Sequence, residues 1–275
     1  MTENKTPKLL TVAAIQMNSG ESVEKNLDVA TKIIESIESL PDVIVLPELF
    51  NYRSQGDHSI KDVELIHDKT LAWLKLVAKK NSITIIGGSI IESSSNKKSY
   101  NTTMVVNSSG DIQAQYRKIH LFDVEVGDKK IIESNRFNAG TQPKIVTIGA
   151  WRIGLSICYD LRFPELYRWY FKQGVDAVVI PSSFTAKTGI MHWHTLCRAR
   201  AIENQMYVIA PNQIGIGAGN ESTYGHSLIV DPYGSIITEM DDTNEGAISA
   251  QLDRSVLEDL RYKFPISNHI QPHLF

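Results

Sequence analysis

With two cysteines in 275 residues, the chain has no basis for a disulfide framework. Cys158 and Cys197 stand in strongly apolar settings, which fits free thiols in a reducing compartment. Charge of one sign is also missing. The 28 basic and 31 acidic side chains leave a formal charge of −3 without long like-charged runs, so nothing points to a nucleic acid or an anionic membrane as partner. No apolar run approaches bilayer-spanning length, and the amino end, Met1 to Lys8, lacks the apolar stretch of a signal peptide. Zinc-ligand spacings do not occur, so no metal and no cofactor is expected. Gly215-Ile216-Gly217-Ala218-Gly219 lacks the Lys-Ser/Thr opening of a phosphate-binding loop and reads as a flexible loop beside a pocket. These absences point to a cytoplasmic, soluble protein acting on a small molecule.

What is present is 42% apolar content, enough for a large core, and an alternation of short β-rich runs with amphipathic stretches. The runs Leu9 to Met17, Val43 to Leu46 and Ile83 to Ile91 alternate with Val23 to Leu40 and Lys61 to Lys80, the pattern of a layered α/β protein. Leu71, Leu74, Val77 and Ala78 share one helical face. Tyr100 to Val106 and Ile112 to Arg117 read as a hairpin around Ser108-Ser109-Gly110-Asp111, and His226 to Val230 with Ser235 to Met240 repeat it around Asp231-Pro232-Tyr233-Gly234. Val43 to Phe50 resembles Val178 to Phe184, and Ile83 to Ile86 resembles Tyr207 to Ala210, in the same order as the hairpins. Two internally similar halves packed sheet to sheet are expected. Glu48 then lies opposite Ser182 and Lys118 opposite Asp242, so the reactive side chains are not duplicated and one composite site follows.

Arg152 to Ile157 is a strand running into Cys158-Tyr159-Asp160, with a helix-like stretch from Phe163 to Gln173. Cys158 therefore sits at a strand-to-helix turn, where backbone N–H groups converge and a helix amino end lowers a thiol pKa. Glu48 follows Pro47 at the end of a buried strand, where a carboxylate suits proton transfer. Lys118 ends the strand Ile112 to Arg117. A thiol needs a base, and a tetrahedral adduct needs positive charge or N–H donors at its oxygen. Glu133 is a possible second carboxylate, ordering the lysine or a water. A cysteine protease would instead pair its thiol with histidine, for which His120, His192, His194 and His226 are candidates. Cys197, within the helical stretch Leu196 to Glu203, reads as packing.

Three stretches, Leu46 to Phe50, Tyr116 to Asp123 and Gly154 to Leu166, together resemble the nitrilase, or carbon–nitrogen hydrolase, superfamily, and the resemblance runs from Val12 to about Leu274. It implies a four-layer α-β-β-α sandwich over residues 1–275 as a single domain. It also implies a Glu48–Lys118–Cys158 triad with Glu133 as additional glutamate, and homodimers or higher homo-oligomers joined through helical faces. Cys158 to Phe163, Thr188-Gly189 with His192-Trp193, Arg198 to Glu203 and Tyr224 to Ser227 resemble the branch of omega-amidase and deaminated-glutathione amidase. That branch implies hydrolysis of a small carboxylate-bearing carboxamide through a cysteine thioester. The Tyr159 N–H would serve the oxyanion, and Arg162, Phe184, Thr185 and His192 the substrate. Arg162 could grip a carboxylate in a two-pronged pair. An N-carbamoyl amidohydrolase or nitrilase with the same triad, and a catalytically silent binding protein of this fold, are the rival readings. Two departures bear on pocket size: Met191 stands where a smaller residue is often found, and Gly127 to Lys130 lacks the usual proline.

Overall fold

The structure is a computed structural model, and it describes residues 8–54, 60–95, 98–126, 129–217 and 221–271. Residues 1–7 and 272–275, which carry the readings of the amino end and of the last part of the resemblance, lie outside it. So do residues 127–128 and 218–220 of the two loops singled out above.

The first half runs β1 (Leu9–Gln16), α1 (Val23–Glu35), β2 (Val43–Val45), α2 (Ile60–Asn81), β3 (Thr84–Ile86), β4 (Ile90–Glu92), β5 (Tyr100–Val106) and β6 (Ile112–Arg117). A small hairpin follows, β7 (Asp123–Val126) and β8 (Lys129–Ile132). The second half runs β9 (Lys144–Ile148), β10 (Trp151–Leu155), α3 (Pro164–Lys172), β11 (Ala177–Val179), α4 (Ala186–Asn204), β12 (Tyr207–Ala210), β13 (Leu228–Val230) and β14 (Ile236–Glu239). The chain ends in β15 (Gly246–Asp253), α5 (Arg254–Lys263) and α6 (Ile266–His269).

Local chemistry sets several boundaries. Ser22 caps α1 by accepting from the Lys25 N–H, and Val23, Leu27, Ala30, Ile33 and Ile34 form its buried face. Pro164 opens α3, where its missing N–H costs nothing. Gln205 ends α4 in the left-handed conformation, its N–H returning to the Ala201 and Ile202 carbonyls.

One sheet has the order β15-β1-β2-β3-β5-β4 with β6 also on β5, and the other the order β14-β13-β12-β11-β10-β9. Each holds three parallel strands, β1-β2-β3 and β10-β11-β12, followed by an antiparallel strand and its hairpin partner, β5-β6 and β13-β14. The stretches paired in the sequence fall on equivalent strands: β2 with β11, β3 with β12, and β5-β6 with β13-β14. The expected twofold similarity is thus present in topology.

Three apolar clusters make four layers. Val12, Ala14, Val43, Val45 and Tyr116 of one sheet meet Trp151, Ile153, Leu155, Val179 and Ile209 of the other in the middle. Ile15, Ile44 and Ile85 face α1 and α2 on one outer side, and Val178, Ile180 and Val208 face α3 and α4 on the other. Each large aliphatic side chain buried here contributes about 1.5–3 kcal/mol.

Three expectations need correction. The run Ile83 to Ile91 is not one strand; it breaks at Gly87-Gly88 into β3 and β4. Gly88 has φ +49, and a Cβ there would stand 2.0 Å from the Pro47 carbonyl oxygen, so the chain crosses directly behind the turn that carries Glu48. The helix expected over Leu196 to Glu203 starts ten residues earlier, at Ala186, and takes in His192, Trp193 and His194. Met191 is 61% exposed on that helix and does not border the cavity described below, so it does not bear on pocket size.

Candidate active site

Cys158 follows β10 at the head of a 3-10 helix, Cys158–Arg162, with φ +46, a left-handed value uncommon for a non-glycine residue. Asp160, fully buried, holds this turn: its carboxylate accepts from the Ile157 N–H at 2.9 Å, the Tyr116 hydroxyl at 2.7 Å and the His120 N–H at 3.0 Å, and meets His120 Nδ1 at 2.7 Å. The Cys158 N–H donates to the Pro181 carbonyl at 2.9 Å. A strained conformation persists only when its surroundings over-determine it, and these bonds do so.

Glu48 leaves the end of β2 on a turn fixed from three sides. The Leu49 N–H donates to Ser89 Oγ at 3.0 Å, Gln213 Nε2 donates to the Glu48 carbonyl at 2.9 Å, and Leu49 itself has φ +50. The Glu48 carboxylate is 4% exposed. Its Oε1 accepts from Lys118 Nζ and Asn101 Nδ2, each at 2.9 Å, and its Oε2 from the Ser183 N–H at 2.9 Å.

Lys118, just past β6 and 2% exposed, is bound through its backbone to Asn101, its N–H donating to the Asn101 carbonyl at 2.8 Å. Its ammonium touches Glu48 and both oxygens of Glu133, at 3.0 and 2.9 Å. Burial pushes the lysine pKa down, but Glu133 and Glu48 outweigh it and hold the ammonium well above its usual range. Glu133 starts a short turn after β8, and its Oε2 also accepts from the Phe122 N–H at 2.6 Å.

The thiol behaves differently from expectation. Burial pushes the Cys158 pKa well above its ordinary value and the Glu48 carboxylate adds to this, while Lys118 and the Ser183 N–H pull the other way. The helix-end argument is overridden because desolvation and the charge of the Glu48 carboxylate act on the same sulfur. Both favour the protonated form of the sulfur.

Glu48, Lys118, Glu133, Cys158, Tyr159, Arg162, Phe184 and Thr185 all border one cavity of about 350 Å³. His192 stands behind it, with Nδ1 3.2 Å from Arg162 Nη1. The Arg162 guanidinium lies over the Tyr159 and Phe184 rings. His120 is not a partner for the thiol; it is bound to Asp160 and stacked on Phe163 at 3.7 Å. Cys197 is fully buried among apolar neighbours, which push its thiol pKa up.

Sequence reasoning missed Asn101, whose amide joins Glu48 and Glu133, and the Ser183 N–H. It also missed Arg53 and Arg136, both on the cavity wall. Asn101 sits in the middle of a β-rich run with no local signal. Among the described residues, the set that could hold a metal ion is His194, His226 and Glu239. His194 Nε2 and His226 Nδ1 each lie 2.7 Å from Glu239 Oε1, the spacing of hydrogen bonds that tie α4 to β14. No described helix is long and apolar enough to cross a membrane.

Both sheets of the α-β-β-α sandwich bring one thiol, two carboxylates and an ammonium to one cavity, the fold and site of a hydrolase. The chain belongs to the carbon–nitrogen hydrolase family, whose model matches residues 11–262. It is 35% identical over 263 residues to the deaminated glutathione amidase of a Synechocystis strain, covering 94% of this chain and 96% of that protein. It is 36% identical over 267 residues to omega-amidase NIT3 of Saccharomyces cerevisiae, covering 93% and 91%. The crystal structure of the Caenorhabditis elegans NitFhit protein superposes with a TM-score of 0.92 at 34% identity, covering 98% of this chain and 67% of that one. Against the full curated NitFhit fusion protein, the chain spans 61% of the length.

Proposed function

We propose that this chain, acting as one catalytic domain, hydrolyses a small carboxylate-bearing carboxamide to an acid and ammonia. The carrying observation is that Glu48, Lys118 and Cys158 border a single cavity, with Glu48 hydrogen-bonded to Lys118 and its charge acting on the Cys158 thiol. The names of the Synechocystis and yeast relatives, a deaminated glutathione amidase and an omega-amidase, support the same class of reaction.

In this mechanism the Cys158 sulfur attacks the amide carbon while Glu48 takes the thiol proton. The carbonyl oxygen becomes an oxyanion held by the Lys118 ammonium and the Tyr159 N–H. Glu48 returns the proton to the nitrogen as the C–N bond breaks, ammonia leaves and a thioester remains. Water then attacks the thioester with Glu48 again accepting a proton, which restores the thiol as the acid departs. Glu133 keeps Lys118 charged and aimed. Arg162, Phe184 and Thr185 contact the substrate, with His192 backing Arg162. The protein works in the cytoplasm as a homodimer or higher homo-oligomer, and the exposed Ile190, Met191 and Ile202 of α4 offer an apolar helical face for that contact.

The test is ammonia release from glutamine-derived keto-amides, deaminated glutathione, succinamate and carbamoyl amino acids, with Cys158→Ala as control. Ammonia from an amide, abolished in a folded Cys158→Ala variant, is the expected result. Ammonia accompanied by carbon dioxide would assign a carbamoyl substrate instead. Absence of turnover on every compound, with Cys158 still alkylated stoichiometrically, would leave a binding protein.

A further inference from the structure

Arg53 is a charged side chain with an unfilled role. It follows the Glu48 turn by five residues, is 6% exposed, and borders the same cavity as Cys158. A guanidinium carries five N–H donors. Among the described residues the one hydrogen bond it makes is from Nη1 to Gln213 Oε1, at 3.2 Å, and it enters no salt bridge. The carboxylate that acts on it electrostatically is Glu48, whose oxygens are already claimed by Lys118, Asn101 and the Ser183 N–H.

The guanidinium is nevertheless firmly placed. The Arg53 N–H donates to the Gly20 carbonyl at 3.0 Å. Gln213, fully buried, is itself pinned by Ser19 and by the Glu48 carbonyl, at 2.9–3.0 Å. Gly217 passes so close that a Cβ there would stand 1.7 Å from Arg53 Nη2, so any side chain at that position would push the guanidinium away. Burial pushes the Arg53 pKa down to about 10 against the pull of Glu48, which still leaves it cationic at neutral pH. A buried cation without a counterion is costly, and a ligand anion that supplies one recovers that cost.

The other two guanidiniums of the wall have additional partners. Arg136 donates from Nη1 to the Ser54 carbonyl at 2.6 Å and lies against Phe137. Arg162 is shared between His192 and the faces of two aromatic rings.

We infer that Arg53 is the receptor for the substrate's carboxylate, gripping it in a paired charge-assisted bond while the amide end of the same molecule lies at Cys158. This inference rests on the amidase reading and moves the anion subsite from Arg162 to a residue on the opposite, Glu48-bearing sheet.

The experiment compares succinamate with butyramide, which replaces the carboxylate by a methyl group. It measures kcat/KM for both in wild type, Arg53→Met, Arg53→Lys and Arg162→Met. The expected result is a preference for succinamate in wild type that falls about 30-fold in Arg53→Met, the loss of one charge-assisted bond, with KM carrying most of the change. Arg53→Lys should keep the charge but lose the paired geometry and retain part of the preference. A preference unchanged in Arg53→Met, an equal fall for both amides, or a preference lost wholly in Arg162→Met overturns the assignment. If Arg53→Met does not fold, as judged by its melting transition, Arg53→Lys decides by the same ratio. Turnover of neither amide by wild type would sink the amidase reading instead. Calorimetric binding of succinate to Cys158→Ala, with and without Arg53→Met, then decides the subsite alone: binding that depends on Arg53 supports it, and binding that does not refutes it.

Discussion

Replacing Lys118 by methionine probes the centre of the site, because one ammonium there neutralises two carboxylates. In the wild type the Lys118 pKa is held above its usual range, so its stabilising contribution is full at neutral pH and is lost only as pH rises through that elevated value. Methionine fills similar volume but leaves Glu48 and Glu133, 4% and intermediate in exposure, facing each other with only Asn101 and two backbone N–H groups as donors. Removing one partner of a buried pair costs roughly 3–5 kcal/mol, which for a protein of this size is a fall in Tm of about 10 °C. Two facing carboxylates cannot both stay ionised cheaply, so the variant binds a proton on folding and its deficit grows as pH rises. Melting curves of wild type and Lys118→Met at pH 5.5 and pH 8 read this directly. Adding Glu133→Gln should restore most of the Tm and none of the turnover, because the oxyanion donor, worth about 3 kcal/mol in the transition state, is still missing. A Lys118→Met protein as stable as wild type at pH 8, or one equally weakened at both pH values, would refute the reasoning.

Two further outcomes follow from the same geometry. Asp160→Asn puts an amide N–H₂ where the carboxylate accepts from Ile157, Tyr116 and His120, so the Cys158 turn should relax. We expect a stability loss of about 2–4 kcal/mol with kcat falling more than KM rises, and unchanged kcat would show that the turn is held otherwise. Because burial and Glu48 raise the Cys158 pKa, its alkylation by iodoacetamide should accelerate steadily from pH 6 to pH 9, and a plateau below pH 7 would mean that a thiolate is the resting form.

Much of the fold could be read from local pattern, since apolar runs such as Val43 to Val45 and Tyr207 to Ala210 are buried on both faces whatever surrounds them. The hairpins β5-β6 and β13-β14 were legible from their Ser-Ser-Gly-Asp and Asp-Pro-Tyr-Gly turns, and their recurrence revealed the two similar halves. The small hairpin β7-β8 escaped because two strands of four residues carry little periodic signal, and β15 because its pairing with β1 joins residues more than 200 positions apart, from Leu9↔Asp253 to Gln16↔Gly246.

The candidate triad was legible because its residue types cluster in three motifs; their distances from one another were not. Lys118 meets Glu48 across 70 positions once the strands of one sheet have paired in register, and Ser183 meets Glu48 across 135, a contact that exists only once the two sheets have packed. The raised thiol pKa, the Asn101 bridge and the buried, uncompensated charge of Arg53 belong to the same category. Composition and pattern determined which strands, turns and reactive groups this protein has. Burial and long-range register decided what each group touches, and therefore its charge and its chemistry.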